Sequence, residues 1–188
     1  MDSRITYWEK PGKKNTKGTI ALALKRADEL NIDDIVIATC TGYSAKVLLQ
    51  KAKNKKIVVV THQAGFAKPG EMEMKPGVIE FLKKKDVKIY TGTHFFGGFG
   101  RAIRFKFGGL EPEEIAANTL RIFGEGTKVA IEIAIMALDA GLIPYGKEII
   151  SIGGTGSGVD TAIVCVPRHG KDFFNFEVRE IICKPRER

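Results

Sequence analysis

The sequence predicts an α/β fold with a largely parallel sheet covered by helices on both faces. Three observations carry this. Short, continuously apolar runs recur, among them Ile35-Val36-Ile37, Ile57-Val58-Val59-Val60 and Ala162-Ile163-Val164, and strands buried on both faces read this way. Between several of them lie segments with helical apolar spacing. The last strands follow connections with no helix between them, so at least one of them should pair antiparallel.

The elements follow in order. Arg4 to Trp8 reads as a short edge strand and Glu9 to Lys14 as a turn. Asn15 or Thr16 caps a helix whose apolar positions Ile20, Leu22, Ala23, Leu24, Ala27 and Leu30 form one broad face. Strand Asp34–Ala38 leads through a hydroxyl-rich turn into a helix ending near Lys53. A strand at Ile57–Thr61 precedes a long loop from His62 to Lys75, and Pro76 starts a helix to about Lys85. Val87 to Tyr90 is a strand. Glu111-Pro112-Glu113-Glu114 opens a helix that ends at Gly124, and another runs from about Thr127 to Ala140 and stops at Gly141. Strands are expected at Glu148–Ile152, Thr161–Val166 and Glu177–Cys183, and the tail Lys184 to Arg188 is expected to fray. No repeat or linker divides residues 1–188, which read as one domain.

The 30 basic and 22 acidic residues give a formal charge of +8. That favours anionic partners without choosing among phosphorylated small molecules, nucleic acid and membrane surfaces. Scarce Gln with abundant Lys, Glu and Ile is a thermophile's balance. Three cysteines, Cys40, Cys165 and Cys183, form no framework and fit a reducing cytoplasm. Cys165 and Cys183 lie in apolar strands and read as buried thiols. The opening Met1-Asp2-Ser3-Arg4 is polar and predicts no secretory leader. The apolar helix from Val129 to Leu142 is too short for a bilayer and carries Glu132 and Asp139. The expectation is a cytoplasmic protein.

Two turns could carry chemistry. Thr39-Cys40-Thr41-Gly42-Tyr43-Ser44 joins a strand to a helix. Unpaired backbone N–H groups at a helix start, with hydroxyls beside them, suit a phosphate; an ordinary Ser/Thr cap is the plainer reading. Gly153-Gly154-Thr155-Gly156-Ser157-Gly158 resembles a dinucleotide fingerprint in spacing, but a strand follows it, which argues against a Rossmann site. Its backbone could still wrap an anion. His62 and His94 each follow a strand at the same sheet edge as the first turn, as acid/base groups, ring contacts or hydrogen-bonded loop residues. His169 reads as a surface turn, and Glu132 as a site carboxylate or a hydrogen-bonded helix residue. No His, Cys and carboxylate spacing suggests a metal site, so none is expected. The run from Phe95 to Phe107 interleaves aromatics and cations. It could stack bases or a flavin ring, form a helix burying Phe99, Ile103 and Phe107, or make a subunit contact.

Thr39, Thr41, Gly42, Ser44 and Ala45 resemble the allosteric phosphate loop of the pyruvate kinase C-terminal domain, and Gly156-Ser157-Gly158 resembles the loop entering that domain's last core strand. The likeness covers roughly residues 15 to 167. The whole chain is similar to a stand-alone archaeal family of pyruvate-kinase C-terminal-domain-like proteins. That likeness is carried by Tyr7-Trp8-Glu9-Lys10-Pro11-Gly12, Thr61-His62, Gly65-Phe66, Val129 to Ile133, and Glu180 to Arg186. The resemblance implies a three-layer α/β/α fold of core strand order 3-2-1-4-5 with strand 5 antiparallel, and strands from both termini at the edges. It also implies FMN as a cofactor and, by analogy with pyruvate kinase, a homo-oligomer. In that order the turns after core strands 1 and 4 face one switch-point crevice. Thr39, Thr41, Gly42, Tyr43 and Ser44 would then bind a phosphate, Gly154, Gly156, Ser157 and Gly158 would close the other side, and His62 and His94 would approach the ring. A (β/α)8 barrel needs about 250 residues, so pyruvate kinase activity is not expected. The leading reading is a binding protein for FMN or a similar phosphorylated molecule. A flavin-dependent oxidoreductase and an RNA-binding protein are the alternatives.

Overall fold

Continuous apolar runs build the centre of the sheet. The computed structural model describes residues 4–187. Its strands are β1 (Thr6–Trp8), β2 (Asp34–Ala38), β3 (Lys56–Thr61), β4 (Lys88–Thr91), β5 (Ile149–Gly153), β6 (Thr161–Val166) and β7 (Glu177–Pro185). Its α-helices are α1 (Thr16–Glu29), α2 (Tyr43–Leu49), α3 (Pro76–Lys83), α4 (Gly98–Phe107), α5 (Pro112–Arg121) and α6 (Glu125–Asp139). The strands form one sheet in the order β1-β7-β6-β5-β2-β3-β4. β2, β3, β4 and β5 are mutually parallel, and β6 is antiparallel to β5. The five central strands thus run 3-2-1-4-5 with the fifth reversed, as the resemblance implies.

Alternation along each strand splits the core in two. Ile35, Ile37, Ile57, Val59, Ile150 and Ile152 point to the face covered by α1, α2 and α3. Val36, Val58, Val60, Ile149 and Ile163 point to the face covered by α6. Period-two alternation with both faces apolar is what a central parallel strand requires. Helix α6 lies so deep that Ile131 through Leu138 are all buried. Ser151, on the same face, donates its hydroxyl proton to the Ala130 carbonyl at 2.7 Å. Pro76 and Pro112 open α3 and α5, where a missing N–H leaves no hydrogen bond unmade.

The termini depart from expectation. β7 lies inside the sheet between β6 and β1, so only β1 takes the edge on that side. The tail does not fray at Lys184: Trp8 pairs with Pro185, and the Arg186 N–H donates to the Trp8 carbonyl at 2.8 Å. A parallel partner supplied by the N-terminus holds it. Arg188 and Met1 to Ser3 lie outside the described residues. Helix α2 stops at Leu49, short of Lys53, where the Ala52 N–H folds back onto the Leu48 carbonyl and Asn54 takes a positive φ of 56°. Phe99 and Phe107 are 80% and 74% exposed, so of the three readings of this run burial in the core is ruled out for them. Helix α4 meets the rest through its other side, where Gly100 is buried. Among the described residues no helix is long and apolar enough to cross a membrane.

One buried carboxylate joins the ends of the chain. Asp160, fully buried, accepts from the backbone N–H of Gly12 at 2.9 Å, from that of Thr155 at 3.2 Å and from the Thr161 hydroxyl at 2.9 Å. Its carbonyl accepts from the Trp8 indole at 2.8 Å. Removing a partner from buried donors costs about 1–3 kcal/mol for each donor left unmatched. Asp160→Ala is therefore expected to destabilise the protein by about 2–4 kcal/mol, read from the urea unfolding midpoint, with Asp160→Asn milder. A midpoint unchanged in both variants would remove Asp160 from the account.

Candidate functional site

The β2–β3 and β2–β5 pairings put three turns at one edge of the sheet. Two of them are the turns singled out in the sequence. After β2, Gly42 takes φ 87° and starts α2. A Cβ there would lie 2.4 Å from Val78 Cγ1, so both backbone conformation and packing against α3 demand glycine. The Gly42 N–H donates to the Thr39 hydroxyl at 3.1 Å. Thr39 thus spends its side chain on closing the turn, while the N-cap position of α2 is Gly42, which has no side chain to cap it. Thr41 is exposed, while Tyr43 and the buried Ser44 border open space.

After β5, residues 154–159 form a loop closed by a hydrogen bond from the Asp160 N–H to the Gly153 carbonyl at 3.1 Å. The Val159 N–H donates to the Thr16 hydroxyl at 3.1 Å. Gly158 has φ 75°, and a Cβ there would meet Thr16 Oγ1 at 2.4 Å and Lys13 Cα at 2.7 Å. The glycine therefore lets the N-terminal turn lie directly on the loop. As a result Lys13 reaches across to the Tyr43 ring, with its ammonium 4.4 Å from the centroid.

The two turns enclose a crevice of about 470 Å³. It is lined by Thr39, Thr41, Tyr43, Ser44 and His62 on one side and Gly154, Gly156, Ser157 and Gly158 on the other, with Lys13 reaching from the loop side to Tyr43. Gly42 forms the bend behind. A smaller cavity of about 180 Å³ adjoins it, sharing Thr39, Cys40 and His62, and is lined further by Phe66, His94, Arg101, Lys128 and Glu132. So the fold gathers both expected loops and both expected histidines along one groove at the carboxyl ends of the strands. Sequence reading missed Lys13, because nothing local links Gly12-Lys13-Lys14 to a loop beyond residue 153. Arg101 and Lys128 were missed for the same reason.

Aromatic contacts order the smaller cavity. The His62 ring lies 3.9 Å from Phe66 and 5.2 Å, edge-on, from His94. Glu132 is 3% exposed, accepts the Phe96 N–H at 3.0 Å and pairs with Lys128 at 2.5 Å. It is thus both hydrogen-bonded within the fold and part of the cavity wall, and its two expected roles are not separated by this placement. Cys40 is partly buried; burial first, and the Glu73 carboxylate second, push its thiol up to about 11, so it is protonated near neutral pH. His169 is on the surface, 2.8 Å from Asp139. Cys165 and Cys183 are buried. A wider depression between Tyr145, Arg168 and Phe176 lies at the other end of the strands. Its arginine is already bound to Glu177 and to the Asn175 carbonyl.

Together these features define an α/β domain whose crevice sits at the switch point of a mostly parallel sheet. The family model described as pyruvate kinase, alpha/beta domain, matches residues 17–165, and the chain belongs to that family. Solved pyruvate kinases from Cryptosporidium parvum are similar to it. One shares 20% identity, covering 81% of this chain and 23% of that one, with a TM-score of 0.42. Another, in complex with ADP, shares 20% identity over 79% of this chain and 22% of that one, with a TM-score of 0.40. The chain spans less than a quarter of the length of these enzymes.

Burial lowers the pKa of His94 below 6.5, against the pull of Glu132 and with help from His62, Lys128 and Arg101. The folded ring holds its proton less tightly than the unfolded chain does. Its contribution to stability is therefore present above pH 6.5 and lost as pH falls through the folded value. Imidazole resonances followed by NMR should give a His94 midpoint below 6.5. Glu132→Gln should lower it further; a midpoint above the ordinary value would contradict the burial.

Proposed function

We propose that the switch-point crevice binds a phosphorylated small molecule, with FMN the first candidate. The observation that carries this is the convergence of the Thr41–Ser44 turn and the Gly154–Gly158 loop on one crevice, with Lys13 between them. Ligand pockets commonly enclose about 300–1,000 Å³, and the crevice falls in that range. The phosphate would take the backbone N–H groups at the start of α2, the Thr41 and Ser44 hydroxyls and the Lys13 ammonium. Gly156 and Ser157 would offer backbone N–H groups from the facing loop. The apolar and aromatic surfaces of Val129, His62 and Phe66 suit a planar ring, and His94 stands behind them. FMN would bring redox chemistry with it; these residues would bind and orient it. Among the described residues there is no (β/α)8 barrel, and pyruvate kinase activity is not expected of them.

Thr41→Ala with Ser44→Ala, and separately Lys13→Ala, should weaken FMN binding about tenfold or more. Fluorescence titration reads the affinity and circular dichroism the fold. Unchanged affinity in a folded double variant would overturn the phosphate assignment.

Exposed side chains on α4 and α5 support a second copy of this chain as a partner. Besides Phe99, Phe105 and Phe107, the segment exposes Leu110, Ile115, Ile122 and Phe123. Exposed apolar surface on this scale marks contact sites, and the aliphatic members offer no ring on which a base could stack. Sedimentation equilibrium should show a dimer or larger, with Phe105→Glu and Phe107→Glu shifting it to monomer. A wild-type monomer that shifts labelled RNA at physiological salt would support the nucleic-acid alternative instead.

A further inference from the structure

We propose that Cys40, His62 and Glu73 form a binding site for a zinc-like divalent cation, with an open position facing the crevice. The sheet creates the pairing. Ala38 and Val60 are register partners on the adjacent parallel strands β2 and β3, so the residues two places beyond each, Cys40 and His62, emerge side by side. The Thr39 N–H continues the ladder to the Val60 carbonyl at 3.0 Å and fixes that exit. The third group returns from the 62–75 loop. Met74, 1% exposed, anchors this loop in the core, and the Gly65 N–H bonds the Glu71 carbonyl at 2.9 Å. Glu73 is thereby held against His62, with Oε2 2.6 Å from Nδ1.

One ligand atom from each of the three side chains lies within 4.8 Å of the other two. A thiolate, an imidazole and a carboxylate are the donor types that zinc takes, and three protein ligands with one open position is its usual catalytic arrangement. The thiolate selects against magnesium and calcium, which prefer oxygen alone. Binding releases the Cys40 thiol proton to solvent, and the resulting thiolate and the carboxylate together neutralise a divalent ion. Tetrahedral bonds of about 2.0–2.2 Å place nitrogen and oxygen ligands roughly 3.3 Å apart. His62 and Glu73 therefore need to part by less than an ångström as the ion replaces the proton between them. The His62 ring is already fixed by Phe66 and His94. Cys40, His62 and Glu73 all line the larger crevice, so the fourth position is open to water or to a bound molecule's donor atom. No sequence spacing announced this site. Its ligands come from two separate connections and, within the second, from the two ends of a long loop, which explains why the sequence reading expected no metal.

Cobalt(II) added to chelator-treated protein tests the proposal without any flavin. The site predicts one equivalent bound, with visible bands of a tetrahedral ion and a thiolate-to-cobalt charge-transfer band in the near ultraviolet. Zinc should abolish both. Cys40→Ser should eliminate the charge-transfer band, and His62→Gln or Glu73→Gln should weaken zinc binding at least tenfold by calorimetry, with circular dichroism unchanged. Absence of the charge-transfer band in the wild type, or its persistence in Cys40→Ser, would overturn the site. Because FMN enters none of these measurements, their failure leaves the flavin reading intact, and failure of FMN to bind leaves this one intact.

Discussion

The crevice depends on the Asp160 carboxylate. It stands where the glycine loop ends and the one reversed central strand, β6, begins. From there it holds the backbone of Gly12 on one side and of Thr155 on the other. A carboxylate buried so completely is tolerable only because it takes several donors at once. That requirement draws the N-terminal turn across the sheet edge. Lys13 then faces Tyr43, and β1 is delivered alongside β7. A loop of glycines would otherwise have little to fix its shape.

The sheet supplies the rest of the site through register. Parallel strands β2 and β5 lie side by side and end at the same edge, and their connections run in opposite directions along the sheet, to β3 and to β6. The space between departing connections is a crevice by construction. What fills its wall is set by the residues just past each strand: Thr39 and Cys40, His62, and Gly154. The groove therefore contains two kinds of surface. Backbone N–H groups and hydroxyls lie toward Ser157, while rings, a thiol and carboxylates lie toward His94. A phosphorylated ring compound matches this polarity along its length.

Much of this was legible in the sequence, and the physical reason differs by element. β2, β3 and β6 declare themselves because burial on both faces leaves unbroken apolar runs. The two site turns were visible because glycine and hydroxyl clusters are locally distinctive. Their meeting in one crevice followed once the strand order was known. Asp160 was hidden because a buried carboxylate reads like any polar loop residue until its distant donors are placed. Lys13, and the grouping of Cys40 with His62 and Glu73, were hidden because each depends on pairings between remote segments. Helix α4 stayed ambiguous because its aromatics have helical spacing, and spacing alone does not say whether a face meets the core or another molecule. The C-terminal tail was misread because its ordering partner is the N-terminal strand.

The claim that two loops serve one ligand is tested most directly by amide NMR of labelled protein titrated with FMN. The account predicts that the backbone signals of Tyr43, Ser44, Gly156 and Ser157 move together along a single binding curve, with Lys13 following them. Movement of one loop without the other, or of neither, would contradict it.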